Sequence, residues 1–425
     1  MAQQYRIESQ FNSADLNRDG TIDEREFRQF LGPVRDEQRL SGNINHQDIQ
    51  NFQISNATQV ITYPVGLDVA VAGFTQNPGD YERYTGGFHQ SGAHTYGVGP
   101  DVGIGAPNVA RKSNQYDPAG AMFDYADINR DGKIDKSEFG SFMRSMDPRF
   151  NNETLAFLQF LSQNPPPQDN EVETMRLYMD GIHQKINKKL HETFKGTIEE
   201  KIVKTNSTEI PINIYTPLNV NKDKLVIYFH GGEYRLGPEY KYPIWLDDAL
   251  EVTQHIIQNR TAYGVNETAK IGVAGDSAGG MISASLSHLL KGIDFQILIY
   301  AALDILGEMP SYKEFTKPMY FLTPEFMKWF TTHAFHNLDE VKDPRVSVLL
   351  NRTFTDLPPC LFIVADLDIL RDGNLEYQKL LEKAGVQTKL VLMKDVIHVF
   401  FTLPGIFPQS CAEAVDAIRD FMASV

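Results

Sequence analysis

At 425 residues the chain is too long for one ordinary hydrophobic core, and its length predicts two or three domains. A formal net charge of −15 argues against a nucleic-acid partner or an anionic membrane surface, both of which reward a basic face. Two cysteines, Cys360 and Cys411, exclude a disulfide framework; with no signal-like apolar stretch at Met1–Glu8 and no bilayer-length run, the expected setting is cytoplasmic with no transmembrane segment.

In chain order the first motif places oxygen-bearing side chains at Asp15, Asn17, Asp19, Asp23 and Glu26, with Gly20, Thr21 and Ile22 between them. The same pattern returns at Asp127, Asn129, Asp131, Gly132, Lys133, Ile134, Asp135 and Glu138. Calcium is a hard cation that takes about six to eight oxygen ligands, so short side chains alternate along the loop and a glutamate closes it bidentately. Thr21 and Lys133, at the seventh position, offer main-chain carbonyls, which is why a lysine is tolerated there. Apolar residues flank both loops: Ile7, Phe11, Phe27, Phe30 and Leu31 around the first, and Met122, Phe123, Ala126, Phe139, Phe142 and Met143 around the second. Both segments, about Gln3–Leu31 and Gly120–Met146, resemble the EF-hand family. The resemblance implies Ca2+ binding by two helix-loop-helix units that pair through Ile22 and Ile134.

The expected EF-hand domain spans 1–150, and its two loops are separated by far more chain than a helix connection needs. The intervening stretch 40–117 is rich in Gly, Asn, Gln, Ser and Tyr and lacks helical periodicity. Tyr63–Val69 and Tyr96–Val102 share the pattern Y-x-V-G-x-D-V. An extended segment that binds a protein partner is expected here, with an ordered surface loop as the alternative.

Leu155–Leu161 reads as helix, and Pro165, Pro166 and Pro167 break it, which marks the domain boundary. Met175, Leu177, Tyr178, Ile182, Ile186 and Leu190 recur at helix spacing, so 151–198 is expected to hold linker and cap-like helices. From 199 to 425, strand candidates at Glu209–Tyr215, Leu225–Phe229, Ile271–Ala274, Phe295–Tyr300, Leu361–Val364 and Lys389–Met393 alternate with helices, and a further strand is expected at Ile198–Lys204. That alternation predicts an α/β fold, a mostly parallel sheet with helices on both faces. Ser277, flanked by Gly275 and Gly279, follows the Ile271–Ala274 strand and precedes a helical run, which fits a G-x-S-x-G nucleophile elbow.

Several blocks together carry a second resemblance. His230-Gly231-Gly232, Tyr234–Glu239, Gly275–Gly279, Asp343–Arg345, Asp368–Asp372 and Ile397–Phe400 resemble the HGGG, YRLAPE, GDSAG, DPR, DPLRD and IHGF blocks of the hormone-sensitive-lipase family of α/β-hydrolases, over about Glu199–Met422. The resemblance implies Ser277 as nucleophile, His398 as base, Asp368 as its orienting acid, and the N–H groups of Gly231, Gly232 and Ala278 as oxyanion donors. From the residues alone, Asp366 and Asp372 are rival acids. Two functions are in view: a serine carboxylester hydrolase acting on small or medium acyl esters, and a non-catalytic scaffold in a large cytoskeletal or ciliary assembly. Glu233 and Val399 replace family glycines, and one residue separates Gly232 from Tyr234 where the family carries a helix and a strand. The sheet is therefore expected to be one strand short, with Glu209–Tyr215 pairing directly with Leu225–Phe229.

Overall fold

A computed structural model describes residues 11–30, 57–62, 118–145, 147–164, 171–187, 196–205, 209–232 and 241–425. Three short strands come first: β1 (Thr21–Asp23), β2 (Ala57–Thr62) and β3 (Lys133–Asp135). β1 and β3 pair antiparallel with Ile22 opposite Ile134, both fully buried, so the two calcium-type loops stand back to back. Helices α1 (Glu24–Phe30), α2 (Pro118–Ala126) and α3 (Lys136–Ser145) flank them. Phe27 meets Phe123 and Phe142 edge-on at 5.7 and 5.2 Å, and Phe139 meets Phe11 and Phe30. The periodic phenylalanines thus close one core shared by both hands, while Ile7 and Leu31 lie outside the described residues.

α4 (Asn152–Gln163) follows; the Asn151 side chain caps it by accepting from the Thr154 N–H at 2.8 Å. α5 (Val172–Asn187) comes next, and its Leu177, expected on the apolar face, is 64% exposed. The chain then builds β4 (Gly196–Lys204), β5 (Glu209–Pro217), β6 (Val220–Phe229), α6 (Ile244–Gln258), β7 (Lys270–Asp276), α7 (Ala278–Leu289) and β8 (Phe295–Ile299). It ends with α8 (Pro324–Ala334), β9 (Cys360–Leu367), α9 (Arg371–Lys383), β10 (Thr388–Ile397) and α10 (Pro408–Ser424). Among the described residues no helix is long and apolar enough to cross a membrane.

Eight strands form one sheet in the order β10-β9-β8-β7-β6-β2-β5-β4. β6 through β10 are parallel, and the Phe229–Gly275 pairing brings the end of β6 beside the serine turn. β9 is buried on both faces along its whole length, as its unbroken apolar pattern requires.

The expected direct pairing of Glu209–Tyr215 with Leu225–Phe229 is corrected by the structure. β2, which belongs to the insertion 40–117, runs between them, parallel to β6 and antiparallel to β5; Val60 faces Tyr215 on one side and Val226 on the other. The strand missing from the sequence between Gly232 and Tyr234 is replaced from elsewhere in the chain. Buried main-chain donors and acceptors demand a partner, and β2 satisfies those of β5 and β6 together. The Y-x-V-G-x-D-V copies and the rest of the expected partner-binding segment lie outside the described residues.

One apolar cluster runs from Phe27 and Phe123 in the EF-hand core, through Phe157 of α4, to Phe321 and Phe400 beside the serine. α4 packs on α1 and α2 and also against β10.

Candidate active site and calcium loops

β7 leaves the sheet at Asp276 and turns sharply at Ser277, whose φ of 50° and ψ of −116° lie in a region that costs an ordinary residue strain. The Ser277 N–H donates to the Ile299 carbonyl at 2.9 Å, which fixes the turn against β8. A Cβ at Gly279 would be driven into the Phe229 carbonyl, so glycine is required where α7 crosses the end of β6.

The structure brings Ser277, His398 and Asp368 together. Ser277 Oγ lies 3.0 Å from His398 Nε2, and His398 Nδ1 lies 2.7 Å from Asp368 Oδ2. His398 is 4% exposed and Asp368 1%, and the second Asp368 oxygen accepts the Leu370 N–H at 2.9 Å. The two rivals are engaged elsewhere: Asp366 lies 3.5 Å from Lys394, and Asp372 accepts from the Ser311 N–H and pairs with Arg371. Tyr300 packs its ring 4.6 Å from the His398 ring. Val399, where the family resemblance has glycine, is held at φ 73°, a left-handed conformation unusual for a β-branched residue.

The oxyanion donor set needs one correction. The Gly231 N–H donates to Asp276 Oδ1 at 2.9 Å and is committed there, not directed to a substrate oxygen. Gly232, at φ 78°, and Ala278 line the pocket beside Ser277. Ala278 opens α7, so its N–H has no carbonyl partner within the helix. Glu233 and the Tyr234–Glu239 block lie outside the described residues.

Sequence reasoning missed the latch beneath this loop. Asp276, 4% exposed, accepts from Gly231 N and, at 2.7 Å, from the Tyr228 hydroxyl. Burial first, then the neighbouring carboxylate, pushes the Tyr228 hydroxyl well above its ordinary range, so it stays protonated and donates. No motif signals this arrangement, because the pairing joins β6 to β7 across the sheet.

Above Ser277 the pocket is mostly apolar. Met175 and Met179 of α5 form one wall; Phe326, Trp329 and Phe330 of α8 form the other, with Phe321 and Leu322 preceding them. The helical spacing that begins at Met175 was readable in the sequence, yet only folding shows that α5 and α8 line one cavity. His183 also lines it: Nδ1 lies 2.9 Å from the Met179 carbonyl, which can only accept, so that nitrogen carries the proton. Nε2 lies 3.2 Å from Thr402 Oγ1. Burial lowers the His183 pKa and keeps the ring neutral.

The two acidic loops have matching backbones. Arg18 and Arg130, at the fourth position, have φ of 59° and 61°, and Gly20 and Gly132 have φ of 85° and 83°. Asp15 and Asp127 accept from the N–H groups of the fifth and sixth positions, and Glu26 and Glu138 accept from those of the third and ninth. Among the described residues no group of three or more His, Cys, Asp or Glu side chains is preassembled around a metal. The donor chemistry nonetheless fits a hard cation. Asp15, Glu26, Asp127 and Glu138 are each under 8% exposed, take neutral N–H partners from their own loop, and retain lone pairs for a cation.

Comparison with known proteins agrees with both halves. A family model described as alpha/beta hydrolase fold matches residues 228–402, and an EF-hand model matches 7–31 and 120–143. Over 183 residues the chain is 28% identical to an ethyl acetate hydrolase of Pseudomonas putida, covering 42% of this chain and 57% of that protein, a little over half its length. Over 256 residues it is 28% identical to carboxylesterase NlhH of Mycobacterium tuberculosis, covering 51% of this chain and 79% of the relative. An esterase structure from Pyrobaculum calidifontis matches with a TM-score of 0.56 at 28% identity, over 60% of this chain and 93% of that one. A thermostable esterase from Pseudomonas putida ECU1011 shares the fold, with a TM-score of 0.58 at 24% identity over 64% and 97%.

Proposed function

Because the chain joins an EF-hand module to an α/β-hydrolase domain of the hormone-sensitive-lipase type, we propose that it is a calcium-binding serine carboxylester hydrolase working through an acyl-enzyme. The observation that carries this reading is the hydrogen-bonded line from Ser277 Oγ through His398 to Asp368.

His398 Nε2 removes the Ser277 proton as Oγ attacks the ester carbonyl, and Asp368 holds the ring and stabilises the imidazolium. The carbonyl oxygen, now charged, is received by the N–H groups of Gly232 and Ala278. Collapse breaks the bond to the alcohol oxygen, which takes the proton from His398. Water, activated by the same histidine, then attacks the acyl carbon and releases the acid and Ser277. The methionine and aromatic walls favour an ester with a small or medium apolar acyl group.

Calcium, when bound, supplies cross-linking of each loop. Asp15, Asn17, Asp19, Asp23 and Glu26 would hold one ion with the Thr21 carbonyl, and Asp127, Asn129, Asp131, Asp135 and Glu138 the other with the Lys133 carbonyl. The scaffold alternative drew on an incomplete sheet, on Glu233 and on the extended segment 40–117, and β2 removes the first of these arguments.

The test is labelling with a fluorophosphonate alongside hydrolysis of a short activated ester. Ser277→Ala is expected to abolish both. Absence of labelling and of hydrolysis in the wild-type chain would overturn the esterase reading and favour the scaffold.

A further inference from the structure

α4 touches two EF-hand helices, the Phe321 turn that borders the pocket, and the strand that leads to His398. On one side it packs against α1, which leaves the first loop, and α2, which enters the second. Its Phe157, Leu158 and Leu161 are buried in the same apolar cluster as Phe27, Phe123 and Phe142. That is how an amphipathic target helix lies in an EF-hand groove, here with the target supplied by the same chain.

On its other side α4 reaches the pocket turn. Phe157 meets Phe321 edge-on at 5.4 Å. Phe321 has φ 64° and ψ −69°, and the Leu322 N–H donates to the Tyr320 carbonyl at 2.8 Å, a three-residue turn of the strained kind. Both Phe321 and Leu322 line the pocket. The same turn is tied to the EF-hand side: the Tyr320 hydroxyl donates to Asp147 at 3.0 Å, and the Lys317 ammonium lies 5.3 Å from the centre of the Tyr125 ring of α2.

α4 also braces the loop that carries His398. The Thr154 hydroxyl and the Asn151 N–H both donate to the Asp395 carbonyl, at 3.1 and 3.2 Å. Phe157 packs on Phe407, which packs in turn on Phe400, next but one to His398. Glu153 accepts from the Gln409 N–H at the start of α10.

We propose that α4 is a built-in target helix of the EF-hand module, and that calcium uptake tightens its grip and so holds the Phe321 turn and the His398 loop in catalytic geometry. Calcium reorients the helices of sensor EF-hands by tens of degrees. A helix gripped by one helix from each hand must follow or loosen, and the turn at Phe321, held at a positive φ and pressed by Phe157, is where that movement reaches the pocket. This regulation rests on the esterase reading for its consequence, not for its physical detection.

Amide hydrogen exchange on the full chain, with saturating calcium and with a chelator, reads the coupling directly. Calcium is expected to slow exchange in residues 318–330 and 395–403 by about fivefold or more, the lower end of ordinary coupling between sites. The double variant Glu26→Gln, Glu138→Gln removes that difference. Phe157→Leu keeps calcium uptake but loses the difference, and Thr154→Val loses it in 395–403 alone. Calcium uptake with unchanged exchange in both segments overturns the proposal, as does a failure to take up calcium. Intact calcium-dependent exchange without hydrolysis of any ester overturns the esterase reading while leaving this coupling standing.

Discussion

The Gly231 N–H and the Tyr228 hydroxyl donate to the same Asp276 oxygen, at 2.9 and 2.7 Å. A carboxylate one residue before Ser277 thus anchors the loop that presents Gly232 to the pocket. There is no room for a side chain at Gly231, whose added Cβ would meet Asp276 and Ser277. Asp276→Ala is expected to lower kcat about 10- to 100-fold, short of the 10²- to 10³-fold loss of a donor itself. KM should change little, and Asp276→Asn, which keeps an acceptor oxygen, should recover most of the rate. An Asp276→Ala enzyme with undiminished kcat would show that the latch does not position the loop.

Lys133 reaches from the second acidic loop to the first, 3.5 Å from Asp19 Oδ2 and 3.3 Å from Thr21 Oγ1. Its ammonium would therefore compete with a calcium ion for Asp19. Lys133→Gln is expected to tighten calcium binding at the first loop severalfold at low salt, an effect that fades as salt screens the exposed pair. Titration calorimetry of the full chain decides this; equal or weaker affinity in the variant would contradict it.

The Asp343 carboxylate is partly buried, and burial by itself would raise its pKa. Hydrogen bonds from Arg345 and the Tyr242 hydroxyl outweigh that and bring it down to about 2. An unfolded aspartate titrates near about 3.9, so the unfolded chain binds the extra proton in this window. The stabilisation is present above about pH 4 and is lost as pH falls towards 2. Asp343→Asn should therefore unfold at lower urea than wild type at pH 6, with the gap shrinking between pH 4 and 2. A gap that does not vary with pH would assign the loss to packing.

Ser277, Asp368 and His398 were legible because each sits at a strand end inside a local motif, and the structure brings the three within hydrogen-bond distance. Without the family resemblance, which implied Asp368, the residues alone left Asp366, Asp368 and Asp372 open within seven positions, and it is Asp368, just past the β9 terminus, that lies against His398. The acidic loops were readable for the same local reason, whereas the reach of Lys133 to Asp19 depends on β1 pairing with β3. The commitment of Gly231 to Asp276 is a cross-strand contact with no spacing signature. Harder still was β2: a short segment in a polar stretch carries little strand signal, and its partners β5 and β6 lie far along the chain.

The place of β2 in the sheet bears on how the protein is made. A ribosome releases this strand before either of its partners exists, and the whole stretch up to β6 must follow before Thr62 can pair with Tyr228. At roughly 5 to 20 residues per second, the strand waits on the order of ten seconds. The sheet cannot close from the contiguous sequence of β4 to β10, because one of its inner strands comes from the N-terminal side of the chain. A fragment beginning at residue 151 would have β5 and β6 facing an empty slot with their main-chain groups unpaired, an edge that invites aggregation. The EF-hand module and the α/β-hydrolase domain are thereby obliged to mature as one molecule.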